Sequence, residues 1–91
     1  MRSKKVRVIN SLGFHARAAA RFVAEASRFT SHITVIYKDK EMDGKSILGL
    51  LLLAAPMGAS LQISADGKDE AEAIRALVAL VAAGFGENPK A

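Results

Sequence analysis

The chain contains no cysteine and no tryptophan, and its aromatic content is four phenylalanines and one tyrosine among 91 residues. Without cysteine, neither a disulfide framework nor a thiolate metal site can hold the fold, so stability must come from packing, which fits a reducing compartment. Histidine is equally scarce. His15 and His32 are the two present, carboxylates do not cluster at ligand spacing, and no metal site is expected. The longest apolar run, Ile47 to Ala55, is interrupted by Gly49 and closed by Pro56, well short of the ~20 residues that span a bilayer. The basic start Met1-Arg2-Ser3-Lys4-Lys5 lacks the apolar centre of a signal peptide. A cytoplasmic protein with no membrane insertion is the expectation.

What remains fits one domain over residues 1–91, with a core from about 4 to 86, because a chain of this length can bury one hydrophobic core and is too small for two. A formal charge of +4 permits attraction to nucleic acid or to acidic protein surfaces and does not choose between them.

Hydrophobic periodicity divides the chain. Val6 to Ile9 reads as a strand followed by a turn at Asn10-Ser11-Leu12-Gly13. A helix is predicted from Ala16 to Arg28, with Ala19, Phe22, Val23, Ala26 and Phe29 on one face and Arg17, Arg21, Glu25 and Arg28 on the other. His32 to Lys38 is an alternating strand, Lys38-Asp39-Lys40 a turn, and Glu41 to Asp43 a weaker strand ended by Gly44. Ser46 is a good N-cap for a helix from Ile47 to Ala55, stopped by Pro56-Met57-Gly58. Leu61, Ile63 and Ala65 alternate with Gln62, Ser64 and Asp66 in a further strand. The last helix starts at Asp69, where Glu72 completes a capping-box-like pair, and carries Ala71, Ile74, Leu77, Val78 and Val81 on one face until Gly84 and Gly86. The tail from Glu87 to Ala91 is expected to fray. The order β-α-β-β-α-β-α implies an α+β fold, four strands with helices on one face.

Chemistry concentrates at Leu12-Gly13-Phe14-His15-Ala16-Arg17-Ala18. His15 falls at or just before the N-cap of the first helix, where unpaired backbone N–H groups and the positive end of the helix dipole favour an anion. An imidazole, with an ordinary pKa of about 6.5, is largely neutral at cellular pH and can attack phosphorus without a separate base. Arg17 adds a permanent charge and a planar fork of donors suited to phosphate oxygens. His32 has no metal-spaced companion and is assigned no chemistry. Gly44-Lys45-Ser46 ends like a P-loop, but that motif needs a glycine where Asp39 stands, so no nucleotide cofactor is expected.

The run Gly13-Phe14-His15-Ala16-Arg17-Ala18, together with Gly44-Lys45-Ser46-Ile47-Leu48-Gly49-Leu50, resembles the signature of the HPr family, the histidine-containing phosphocarriers of the bacterial phosphoenolpyruvate-dependent phosphotransferase system. The resemblance covers about Lys4 to Gly86. It implies an open-faced sandwich, a four-stranded antiparallel sheet with three helices on one face. It also implies that His15 accepts a phosphoryl group on Nδ1 from phosphorylated enzyme I and passes it to enzyme IIA-type proteins in sugar transport, with Arg17 assisting. Such a carrier is a substrate and product of phosphotransferases and not itself an enzyme. Ala18 stands where many carbohydrate-branch members have proline, which leaves that branch and its nitrogen-related paralogue both open.

Ser46 matches the family's regulatory serine, the target of HPr kinase/phosphorylase in many bacteria, beside its plain reading as a helix cap. The Ile47 to Ala55 helix is apolar nearly all round, so Leu50 and Leu53 are expected in the core and some of Ile47, Leu48 and Leu51 are expected to remain exposed. The family implies partner docking there, flanked by Ala20, Arg21, Ala24 and Ser27, with a basic rim from Arg17, Arg21 and Lys45. A monomer is expected. The rival readings are a regulatory HPr-like interaction protein that works without phosphate and a small basic nucleic-acid-binding module. The second lacks the exposed strand aromatics of an RRM and a KH-type GxxG clamp.

Overall fold

Alternation along the strands sorts side chains onto two faces, and one of these is apolar enough to need covering. The computed structural model describes residues 1–86; the expected fraying of Glu87 to Ala91 concerns residues outside that range. Its elements run β1 (Arg2–Arg7), α1 (Ala16–Ala26), β2 (His32–Tyr37), β3 (Lys40–Asp43), α2 (Ile47–Leu53), β4 (Ser60–Asp66) and α3 (Glu70–Ala82), followed by a short 3-10 turn at Gly84–Gly86. The strands form one antiparallel sheet in the order β1-β4-β2-β3. Register places Ile33 opposite Ala65 and Val35 opposite Ile63, with Val6 opposite Leu61. These side chains share the face that the helices cover. α3 lies over β1 and β4, α2 over β3, and α1 packs between α2 and α3.

Phe22, Ile33, Leu50, Leu53, Leu61, Ile63, Leu77 and Phe85 are fully buried, each such side chain contributing roughly 1.5–3 kcal/mol by leaving water. Leu50 and Leu53 thus take the core positions expected of them. The edge strand β1 carries Arg2, Lys4, Lys5 and Arg7, a charge pattern that discourages pairing with another strand. No helix among the described residues is long and apolar enough to cross a membrane.

Several boundaries differ from expectation for identifiable reasons. β1 spans Arg2–Arg7 rather than Val6 to Ile9, because its extent is set by pairing with β4; Val8 is buried beyond the ladder and bonds Ala59 instead. α1 ends at Ala26, capped by Ser27, and Arg28 turns back to form a 2.8 Å ion pair with Glu25. α2 ends at Leu53 because Ala54 adopts a left-handed conformation (φ 55°), and Pro56 further restricts the backbone of Ala55. On α3 the buried face is Ala73, Ile74, Leu77 and Val81, with Ala71 and Val78 half-buried at its margin.

The expected capping box at α3 is absent. Asp69 occupies the cap position without a side-chain cap bond. Its carboxylate instead accepts from the Ser31 hydroxyl and from the backbone N–H groups of Thr30 (2.9 Å) and Ser31 (3.0 Å). Asp69 therefore ties the start of α3 to the loop before β2. The Ser31 hydroxyl first, then the Thr30 N–H, stabilise the ionised form and hold this carboxyl at about 2, below the usual 3.8. Because the folded value lies below the unfolded one, the contribution is fully present above pH ~4 and is lost as pH falls toward 2. Asp69→Asn should accordingly lower the thermal midpoint at neutral pH and flatten its fall between about pH 4 and pH 2, as read by calorimetry across an acid series. An unchanged acid slope would remove Asp69 from this role.

Candidate functional site

The turn that carries His15 is closed by backbone geometry that few residues allow. Gly13 has φ +63°, and a Cβ there would collide with the Ala55 carbonyl oxygen and lie 2.9 Å from the Pro56 Cα. Only glycine meets both demands. The Asn10 side-chain amide, which the sequence did not single out, donates to the Gly13 carbonyl at 2.7 Å, and the Gly13 N–H bonds the Asn10 carbonyl at 3.1 Å. Asn three residues before a left-handed glycine is the available signal for such a turn. The Phe14 N–H then bonds the Ala55 carbonyl at 3.0 Å, joining the turn to the end of α2. The Phe14 ring is buried against Phe22, edge-on at 5.6 Å, and against Phe85 at 5.1 Å.

Phe14 faces inward and its neighbour faces out. His15 is the N-cap of α1, with extended backbone (φ −90°, ψ −179°) and a half-buried side chain. Its Nδ1 accepts from the Arg17 backbone N–H at 3.3 Å. An Nδ1 that accepts holds a lone pair rather than a proton, so the neutral ring carries its hydrogen on Nε2. The one lone pair that can act as a nucleophile therefore points at the positive end of α1, among N–H groups that have no partner within the helix.

Arg17 is exposed one position into the helix, and among the described residues no hydrogen bond or ion pair engages its guanidinium. The other two cations expected on the rim are engaged. Arg21 donates through Nη1 to the Phe85 carbonyl, and Lys45 donates through Nζ to the Phe29 carbonyl at 2.7 Å. An imidazole lone pair and a guanidinium that no other described residue engages thus sit together at the start of α1, an arrangement that can receive an anionic group and cannot enclose it. Among the described residues no three His, Asp or Glu side chains gather as metal ligands.

Ser46 is the N-cap of α2, its Oγ accepting from the Gly49 N–H at 3.0 Å. α1 and α2 pack side by side. The outward positions of α1 include Ala20, Ala24 and Ser27, and those of α2 are Ile47, Leu48 and Leu51 at 42%, 67% and 37% exposure. Leu52, at 59%, adds to them, as do Leu12 and Met57 from the flanking turns. The spacing of Leu52 four residues after Leu48 carries that signal in the sequence. His32 is exposed at the start of β2, opposite Asp66 and apart from this site.

A family model described as the PTS HPr component phosphorylation site matches residues 2–83. The phosphocarrier protein HPr of Neisseria meningitidis serogroup A is 46% identical over 88 residues, covering 97% of this chain and 99% of that protein. That of Haemophilus influenzae is 49% identical over 81 residues, covering 89% and 95%. The crystal structure of HPr-C-His from Thermoanaerobacter tengcongensis superposes with a TM-score of 0.92 at 43% identity, covering 97% and 99%.

Proposed function

The chain belongs to the HPr family of the phosphotransferase system, and we propose that within it the protein carries a phosphoryl group on His15, taken from phosphorylated enzyme I and delivered to enzyme IIA-type proteins. The observation that carries this reading is the His15 Nδ1 accepting the Arg17 N–H at the mouth of α1.

Transfer begins with the Nδ1 lone pair attacking phosphorus while the bond from phosphorus to its donor breaks, the electron pair staying with the donor. The ring keeps its proton on Nε2. Phosphorus then occupies the direction formerly given to the Arg17 N–H, and that N–H is released to a phosphoryl oxygen, so α1 exchanges one cap for another. The Arg17 guanidinium adds charge-assisted bonds to the same oxygens. Phosphoryl transfer depends chiefly on positioning and on stabilising charge, and the partner protein supplies what an exposed site lacks. The group must also leave again at little cost. A shallow site with one guanidinium meets that need, and it gives the protein no turnover of its own.

Incubation with phosphoenolpyruvate, Mg²⁺ and enzyme I, followed by intact-mass measurement, should give a single phosphate adduct. A protein that stays unmodified under those conditions is not a carrier. A regulator working without phosphate has no need of a nucleophile and a guanidinium in one helical turn.

Docking on the exposed faces of α1 and α2 belongs to the same reading, with Ala20, Ala24, Ser27, Lys45, Ile47, Leu48 and Leu51 contributing, while Arg21, expected on that rim, is engaged by the Phe85 carbonyl. Ser46 is its control point, the substrate of an HPr kinase/phosphorylase. A phosphate there adds roughly −1.5 to −2 charges at a helix N-terminus, which tolerates them. The damage falls on docking, where the charge repels an acidic partner beside an apolar contact. Ser46→Asp is expected to raise the KM for enzyme I-dependent phosphorylation about three- to tenfold with little change in thermal midpoint, against Ser46→Ala as control. Equal acceptance by both variants across a range of salt would leave Ser46 a helix cap alone.

A further inference from the structure

Arg21 faces the same side of α1 as Arg17, one turn on, where a docking cation would be expected. Its guanidinium is instead spent within the molecule, on the carbonyl of Phe85. Phe85 is fully buried and sits at φ +60°, a conformation that costs a bulky residue energy and persists only where its surroundings hold it. A positive charge on its carbonyl is such a hold. The position after it is fitted to the same side chain, since a Cβ at Gly86 would lie 3.3 Å from Arg21 Nη1.

The consequence reaches His15 through one ring. Phe85 lies tilted at 46° against Phe14 with centroids 5.1 Å apart, and Phe14 is also held edge-on by Phe22. Phe14 directly precedes His15, whose N–H bonds back to Gly13 at 3.0 Å. The turn presenting the imidazole is therefore fixed from the segment just after α2 by the Phe14 N–H bond to Ala55, and from the Gly84–Gly86 turn by the Phe85 ring. We propose that Arg21 is a positioning residue for the phosphoryl-accepting site: by holding the Phe85 carbonyl against α1, it seats the Phe85 ring on Phe14 and so fixes the direction of the His15 ring.

This rests on the carrier reading, and its test separates the two. Arg21→Ala, Arg21→Lys, Phe85→Leu and the double variant Arg21→Ala/Phe85→Leu are compared in enzyme I-dependent phosphorylation, with kcat and KM resolved. Misaiming a nucleophile lowers the rate in the bound complex, so Arg21→Ala should lose about fivefold in kcat with KM held within about twofold. Arg21→Lys, which keeps a donor of similar reach, should recover part of the kcat. Because Arg21 acts through Phe85, the double variant should be no worse than the poorer single one.

A rise in KM at unchanged kcat, or effects that multiply in the double variant, would overturn the proposal and make Arg21 a docking cation. Should Phe85→Leu not fold, amide NMR of Arg21→Ala decides the point. Shifts at Phe14 and His15 as well as at Phe85 and Gly86 support the coupling, and shifts confined to the last two overturn it. A wild-type protein that takes no phosphate would defeat the carrier reading alone, since the NMR comparison still reports on the Arg21 hold.

Discussion

His15→Ala is expected to abolish phosphorylation by enzyme I while leaving the fold intact. The side chain is half-buried at a helix mouth, so its removal opens no core cavity. What is lost structurally is the cap bond from the Arg17 N–H, and losing a cap costs about 0.5–2 kcal/mol. The expected functional loss is complete, because His32, the other histidine, lies at the start of β2, away from the N-terminus of α1. The measurement is intact mass after incubation with phosphoenolpyruvate, Mg²⁺ and enzyme I, alongside thermal unfolding. The wild-type adduct should be acid-labile and alkali-stable, as a phosphoramidate is. Full phosphorylation of His15→Ala would falsify the assignment of the acceptor.

The next largest effect is expected at Arg17. On the proposed reading its guanidinium would meet the charge on the phosphoryl oxygens arriving at Nδ1, and removing one such donor should slow acceptance roughly tenfold to a hundredfold. The effect on folding should stay within about 1 kcal/mol, the ordinary worth of an exposed charge. Lysine should rescue only partly, because it offers a point charge where arginine presents a planar fork. The backbone N–H of residue 17 survives in all three proteins, so the comparison isolates the side chain. Stopped phosphorylation time courses with enzyme I limiting, set beside thermal midpoints, make the check. Equal rates for Arg17→Ala and wild type would reduce Arg17 to a surface charge.

The contrast between Arg17 and Arg21 shows where reading a sequence stops. Both lie on the polar face of α1 and both are exposed, so periodicity alone gives them one description. Among the described residues none engages the guanidinium of the first, beside His15, while the second is bonded to Phe85, 64 residues away. Lys45, counted with them on a basic rim, is likewise turned to Phe29, 16 residues back.

By itself the sequence determined the order of elements, the positions of Ser46 and His15 at helix starts, the burial of Leu50 and Leu53 and the exposure of part of the Ile47, Leu48 and Leu51 face. All of these follow from spacings of two, three or four residues, or from a cap beside its own helix, and such signals are local. The family signature around His15 is local as well. Tertiary structure alone decided how far β1 extends, since an edge strand ends where its partner β4 ends. It also decided that Asp69 serves Ser31, 38 residues before it, rather than its own helix. The left-handed Ala54 and Phe85 belong with these, each occupying a conformation its residue type disfavours. A buried donor or a strained backbone must be satisfied by whatever the fold brings near, and which group that is depends on contacts between distant segments that no short window of sequence contains.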